Sequence, residues 1–165
     1  MENLEIIYYD IDKGKIDEFF NDSLNISASD IKSSQFYDNY SEQDVEFHQV
    51  ESLSEILSPT GTGSIVLKQL NHGITLEDVV IVLSFNEKDG EVVLNFPENN
   101  LFSGDTETIN HKCRILIEHL TKLMEKYNAP KIRIGYEPAS DDDTCLIELT
   151  DNKLDVENAL QKLLR

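Results

Sequence analysis

The sequence predicts a single α+β domain over residues 1–165, with a mostly antiparallel (mixed) sheet covered by helices. Three observations predict this class. A length of 165 residues suits one hydrophobic core. Hydrophobic residues make up 39% of the chain, which is enough to form such a core. Short apolar runs joined by turn sequences are interspersed with single stretches of helical spacing, an order typical of α+β proteins.

The first third of the chain predicts few regular elements. Leu4 to Tyr9 is a predicted strand, and Asp12 to about Leu24 is a predicted helix because its apolar residues recur at helical spacing. The acidic segment 25–63 follows with weak patterning, and we expect it to be the most mobile part of the chain. Within it, Glu51 to Leu57 predicts one or two helical turns, and Ser58 to Gly63 predicts a loop.

The middle of the chain predicts three strands, Ile65 to Leu70, Val79 to Phe85 and Glu91 to Phe96. The turn residues Asn86 to Gly90 join the last two as a hairpin. The unbroken Val-Val-Ile-Val-Leu run from Val79 predicts a central strand with both faces covered.

The remaining elements are two helices and a second hairpin. Glu107 to Tyr127 is a predicted long helix with one apolar stripe, and Asp105 or Thr106 can cap its start. Lys131 to Tyr136 and Cys145 to Leu149 predict two strands, joined around three consecutive aspartates. A last helix carries its apolar residues on one face, namely Val156, Ala159, Leu160, Leu163 and Leu164.

The formal net charge of −18 restricts the partners of this protein. Nucleic acids and anionic membranes are excluded because both require Lys and Arg to neutralise phosphate. The acidic start predicts no signal peptide, and no run reaches the ~18 apolar residues that would span a bilayer, so we expect a cytoplasmic location. Cys113 and Cys145 are too far apart for a zinc site or a disulfide framework and predict reduced, buried thiols.

No motif predicts an enzyme, a metal site or a cofactor. The acids around Asp10 and Asp12 do not fit the register of a calcium loop and predict a strand-to-helix turn. The three aspartates from Asp141 predict a solvated hairpin loop. His111 and His119 lie eight residues apart, which places them about 80° apart around a helix, so they do not predict a common metal site.

The acidic residues are unevenly distributed along the chain. Residues 1–60 contain 14 acids and 3 bases, and the stretch from Ser33 to Leu67 has six acids without any Lys or Arg. Aromatic residues lie among these acids, a combination that can steer and then anchor a basic partner. The alternative is an acidic surface that only aids solubility. The predicted partner-binding residues are Tyr37, Asp38, Tyr40, Glu42, Asp44 and Glu46.

The hairpin at Val79 to Pro97, the long helix from Glu107 and the strand Lys-Ile-Arg-Ile-Gly-Tyr-Glu at 131–137 are similar to the layout of immunity proteins in polymorphic toxin systems. The resemblance covers about residues 64–149. It implies stoichiometric inhibition of a secreted, basic toxin domain, often a nuclease, by covering its active site or substrate groove. The acids of the predicted site would then contact Lys and Arg of the toxin, with Tyr37 and Tyr40 as anchors.

A second interpretation comes from the element order after Glu51: helix, three strands, helix, two strands, helix. This order is similar to that of the acidic dimeric chaperones of type III secretion, and it implies an extended effector segment as partner. The elements before residue 25 depart from that pattern. An uncharacterised structural or interaction domain is the third possibility, and the oligomeric state is left open.

Overall fold

The chain forms an eight-stranded sheet in which every pair of neighbouring strands is antiparallel, in the order β3-β2-β4-β5-β6-β1-β7-β8. This computed structural model describes residues 1–150 and 156–164. The predicted α+β class with an antiparallel sheet is confirmed. The strands are β1 (Asn3–Asp12), β2 (Ile31–Asp38), β3 (Gln43–Val45), β4 (Gly61–His72), β5 (Ile74–Phe85), β6 (Asp89–Pro97), β7 (Lys131–Tyr136) and β8 (Cys145–Thr150).

Among the described residues, four α-helices accompany the sheet: α1 (Ile16–Glu18), α2 (Leu53–Ile56), α3 (Thr106–Tyr127) and α4 (Val156–Leu163). The segment from Asp12 to Leu24, which was predicted as one helix, contains three successive helical segments of different geometry. A 3-10 turn at Lys13–Lys15 precedes α1, and a π-helix at Phe19–Leu24 follows it. The Asp12 carboxylate accepts a hydrogen bond from Gly14 N, as a strand-to-helix turn requires.

The long helix α3 confirms the predicted apolar stripe. The Asp105 carboxylate caps its start by accepting a hydrogen bond from Thr108 N at 2.7 Å, and Asn128 ends it in the left-handed conformation. From Cys113 to Tyr127, seven side chains of α3 are buried. They join one apolar cluster that contains residues from Leu4 to Leu163.

The helices cover one face of the sheet, and the other face is open at β4, β5 and β6, whereas the segment after β7 covers it beside β1 through a hydrogen bond from Ala139 N to Glu5. Along β5 the burial alternates, with Ile81 and Leu83 in the core and Val80 and Val82 on the open face. The central position of this strand is confirmed, but the prediction that both of its faces are covered is wrong, since 41% of Val82 is exposed. An antiparallel sheet can leave one face to solvent, whereas a buried parallel sheet cannot.

The acidic segment 25–63 supplies the edge of the sheet. Both β2 and β3 lie within it, although its sequence predicted no strand, because only Phe36 of β2 is fully buried. The predicted loop from Ser58 to Gly63 is shorter than expected, since β4 begins at Gly61. The mobility of this segment stays a prediction.

A buried tyrosine–histidine pair lies in the core beside α3. A hydrogen bond of 2.5 Å joins Tyr8 Oη to His72 Nε2, and both side chains are fully buried. The ring of His119 packs edge-on against His72 with the centroids 4.7 Å apart. Burial, and then the nearby His119, lower the pKa of His72 to about 3, so His72 is neutral at physiological pH.

Candidate functional site

The six predicted site residues lie on the hairpin formed by β2 and β3 and on its flanks, and together they are called the acidic hairpin below. Phe36 anchors this hairpin from its buried face. Its ring lies over Gly63 of β4, where an added Cβ would be 2.2 Å from it, and packs 6.2 Å from the ring of Phe47. Because residues alternate along a strand, burial of Phe36 turns Tyr37 to the open face.

Tyr37 and Asp44 lie opposite each other across the hairpin. Tyr37 is 45% exposed, and the Asp44 carboxylate accepts a hydrogen bond from Gln35 Nε2 at 3.1 Å. Cross-strand partners lie about 5 Å apart, so the phenol and the carboxylate form one patch on the open face. This patch combines an aromatic contact surface with an acceptor for Lys or Arg.

Asp38 and Tyr40 belong to the turn of the hairpin. The Asp38 carboxylate accepts hydrogen bonds from Tyr40 N and Ser41 Oγ, both at 2.9 Å, and these bonds lower its pKa. Asp38 therefore shapes the turn, while Tyr40 is 85% exposed at its tip. Both residues border a small depression beside α2, away from the Tyr37–Asp44 patch.

Glu42 and Glu46 are exposed at the two ends of β3. Glu42 adopts a positive φ of 56° where the turn enters the strand. The backbone N–H of Glu46 donates to Gln49 Oε1 at 2.9 Å, and its carboxylate lies 3.5 Å from His48 Nδ1. The structure thus brings Tyr37 together with Asp44, and Asp38 together with Tyr40, as two separate groups.

Sequence reasoning missed an open cleft of about 1130 Å³ next to Tyr40. The Lys13 ammonium at its floor is buried and donates to the Leu57 and Pro59 carbonyls at 3.0 and 2.9 Å. Lys15 and Lys88 also line the cleft. Its acids come from segments distant in sequence, so no local pattern could have grouped them: Asp10, Asp12, Glu55, Glu87 and Asp89.

The side chains that could ligate a metal ion are dispersed among the described residues. Within residues 1–150 and 156–164, no three His, Cys, Asp or Glu side chains lie close enough to hold a metal ion together. Burial raises the pKa of the Cys113 thiol to about 11, which makes it a poor nucleophile at neutral pH.

A family model described as PABL017 Cdi1I immunity protein matches residues 2–152. The chain belongs to the Cdi1I immunity protein family. The predicted resemblance to immunity proteins is therefore confirmed, and it extends beyond residues 64–149 to include the acidic hairpin. The element order after Glu51 is also present in the structure, but family membership favours the immunity protein over the secretion chaperone.

A solved structure shares the fold of this chain. It is the 1.75 Å crystal structure of the toxic C-terminal tip of CdiA from Pseudomonas aeruginosa in complex with immune protein. The match has a TM-score of 0.66 at 17% identity and covers 93% of this chain and 97% of that chain. No curated protein matches the chain. Among the described helices of this Cdi1I family member, none has the length and apolarity to span a membrane.

Proposed function

We propose that this Cdi1I family member binds a basic toxin domain in the cytoplasm and blocks it stoichiometrically, without catalysis, through the acidic hairpin. The Tyr37–Asp44 patch carries the proposal, since it joins an exposed aromatic ring to a carboxylate at the edge of an open sheet face. No Lys or Arg lies between Ser33 and Leu67 to neutralise it.

The charge of the chain and the local geometry have separate roles in this binding. The net charge of −18 attracts a basic domain over a long range and raises the rate of association. After contact, Tyr37 and Tyr40 lose water and supply the anchoring area. Asp44, Glu42 and Glu46 then pair with Lys and Arg side chains of the toxin. Among toxin activities, a nuclease is the class that suits such a basic binding surface best.

Reversing two charges of the acidic hairpin should weaken the complex. In Asp44→Lys/Glu46→Lys, we expect about a tenfold loss of affinity at 50 mM salt and a smaller loss at 300 mM, because salt screens exposed charges. The probe is a basic toxin domain recovered with the chain by affinity purification from its native host, and its association rate and Kd are measured by surface plasmon resonance.

The matched control is Glu118→Lys/Glu125→Lys. Both glutamates are exposed on α3, and the control changes the net charge by the same amount. It should lower the association rate only slightly, since these residues lie on the helical side of the sheet. Equal losses in the two variants would show that the overall charge, and not the acidic hairpin, directs binding.

A further inference from the structure

The open face of the sheet carries an apolar strip at its centre. Four valines from three adjacent strands form this valine strip: Val66 of β4, Val80 and Val82 of β5, and Val93 of β6. Val66 pairs with Val80, and Val82 pairs with Val93. The strip is exceptional because the solvent face of an antiparallel sheet normally alternates to polar residues. Val82 is one of only five exposed large apolar side chains among the described residues.

The valine strip is continuous with the Tyr37–Asp44 patch. Gln35 of β2 pairs with Ser64 of β4, which in turn pairs with Val82. Strands lie about 4.8 Å apart, so β2 and β5 are separated by about 10 Å. On the open face, Gln35 of β2 and the small side chains of Thr62 and Ser64 of β4 lie between Tyr37 and the strip. A partner that contacts Tyr37 therefore reaches Val82 without a gap.

The charges around the strip indicate which partner covers it. On its β7 side, the bases already have acidic partners: Arg133 contacts Glu148 and Asp142 at 3.2 and 2.9 Å, and Lys131 lies 3.6 Å from Glu148. On its other side lies Asp44, and Glu91 is exposed next to Val93. A second copy of the chain would bring −18 against −18, and such self-repulsion opposes association.

We propose that the valine strip is the apolar centre of the toxin interface and that the acidic hairpin is part of its charged rim. The inference rests on the proposed function and identifies the surface that the toxin domain buries. It also specifies the partner, which presents apolar side chains surrounded by Lys and Arg. Stable interfaces commonly combine a desolvated apolar centre with a polar rim.

Polar substitution of the strip tests this proposal. In Val82→Asn and Val93→Asn we expect about a tenfold weaker affinity for the same toxin domain, through faster dissociation, with an unchanged salt dependence. The conservative Val82→Thr keeps the β-branched shape and should also weaken the affinity for the toxin domain. The matched control, Leu164→Asn, alters an exposed apolar residue directly after α4 and should bind like the wild type.

The outcomes separate this inference from the proposed function. If all three strip variants bound with wild-type affinity while Asp44→Lys/Glu46→Lys bound more weakly, the proposed role of the valine strip would be overturned. The proposed role of the acidic hairpin would then still stand. Failure of the wild-type chain to bind the toxin domain would overturn the proposed function itself. Light scattering of the chain alone should show a monomer, and a dimer that dissociates in Val82→Asn would instead assign the strip to a second copy.

Discussion

Phe36→Ala is expected to lower the free energy of unfolding by about 3–5 kcal/mol, the usual cost of removing a buried phenylalanine ring. The ring is fully buried, lies over Gly63 and packs near Phe47. Gly63 has no side chain to fill the resulting cavity. The loss should also loosen the edge that carries Tyr37 and Asp44, so toxin affinity should fall without any change in the proposed contact residues.

Urea unfolding followed by circular dichroism measures this effect. Phe36→Leu is the matched control, and it should lose clearly less stability because most of the apolar volume is retained. Gly63→Ala should also destabilise the chain, since an added Cβ would collide with the Phe36 ring. A midpoint for Phe36→Ala equal to that of the wild type would contradict the anchoring role of this ring.

Acidification should destabilise the protein through His72. Its pKa is about 3 in the folded chain against 6.5 for an unperturbed histidine, so the unfolded state binds the proton first as the pH falls below 6.5. The stability linked to neutral His72 is thus present above pH 6.5 and is lost towards pH 3. Between pH 7.5 and 5.0 the loss amounts to about 2 kcal/mol. Burial also lowers the pKa of His119, which adds to the same trend.

The comparison of His72→Gln with the wild type isolates this contribution. Glutamine keeps a polar partner for Tyr8 but does not titrate, so the unfolding free energy of the variant should vary less between pH 7.5 and 5.0. His111→Gln, an exposed position on α3, is the control and should keep the wild-type slope. NMR titration gives a second measurement, in which the His72 imidazole should stay neutral at pH 5. If the unfolding free energy of His72→Gln changed with pH as steeply as that of the wild type, groups other than His72 would dominate the pH dependence of stability.

Strongly patterned elements were predictable because their information is local. The apolar stripe and the Asp105 cap specify α3 within one continuous stretch, and the turn after Phe85 specifies the β5–β6 hairpin. The strand β2, next to the edge strand β3, was missed because its residues 31–35 are mostly polar and partly exposed. Its pairing is decided by Phe36 docking on Gly63, a contact between segments 27 residues apart in the sequence.

The features of the candidate site also divide into those that the sequence predicted and those that the fold decided. The concentration of acid and tyrosine between residues 33 and 67, and the immunity-protein character of the layout, came from the sequence. The separation of Tyr37 from Tyr40 did not, because the side to which each residue points depends on the burial of Phe36 and on the turn held by Asp38. The Val-Val-Ile-Val-Leu run was visible in the sequence, but the sequence did not show that Val80 and Val82 lie on the open face of the sheet.

By itself, therefore, the sequence determined the α+β class, most of the elements and the acidic character, because composition and periodicity encode these properties locally. The class of partner followed from the resemblance to immunity proteins. Only the tertiary structure decided that one face of the sheet is open and that the acidic hairpin lies at its edge. It also placed the valines of three strands side by side. A single strand cannot encode which of its faces a helix will cover, since that depends on how distant segments pack.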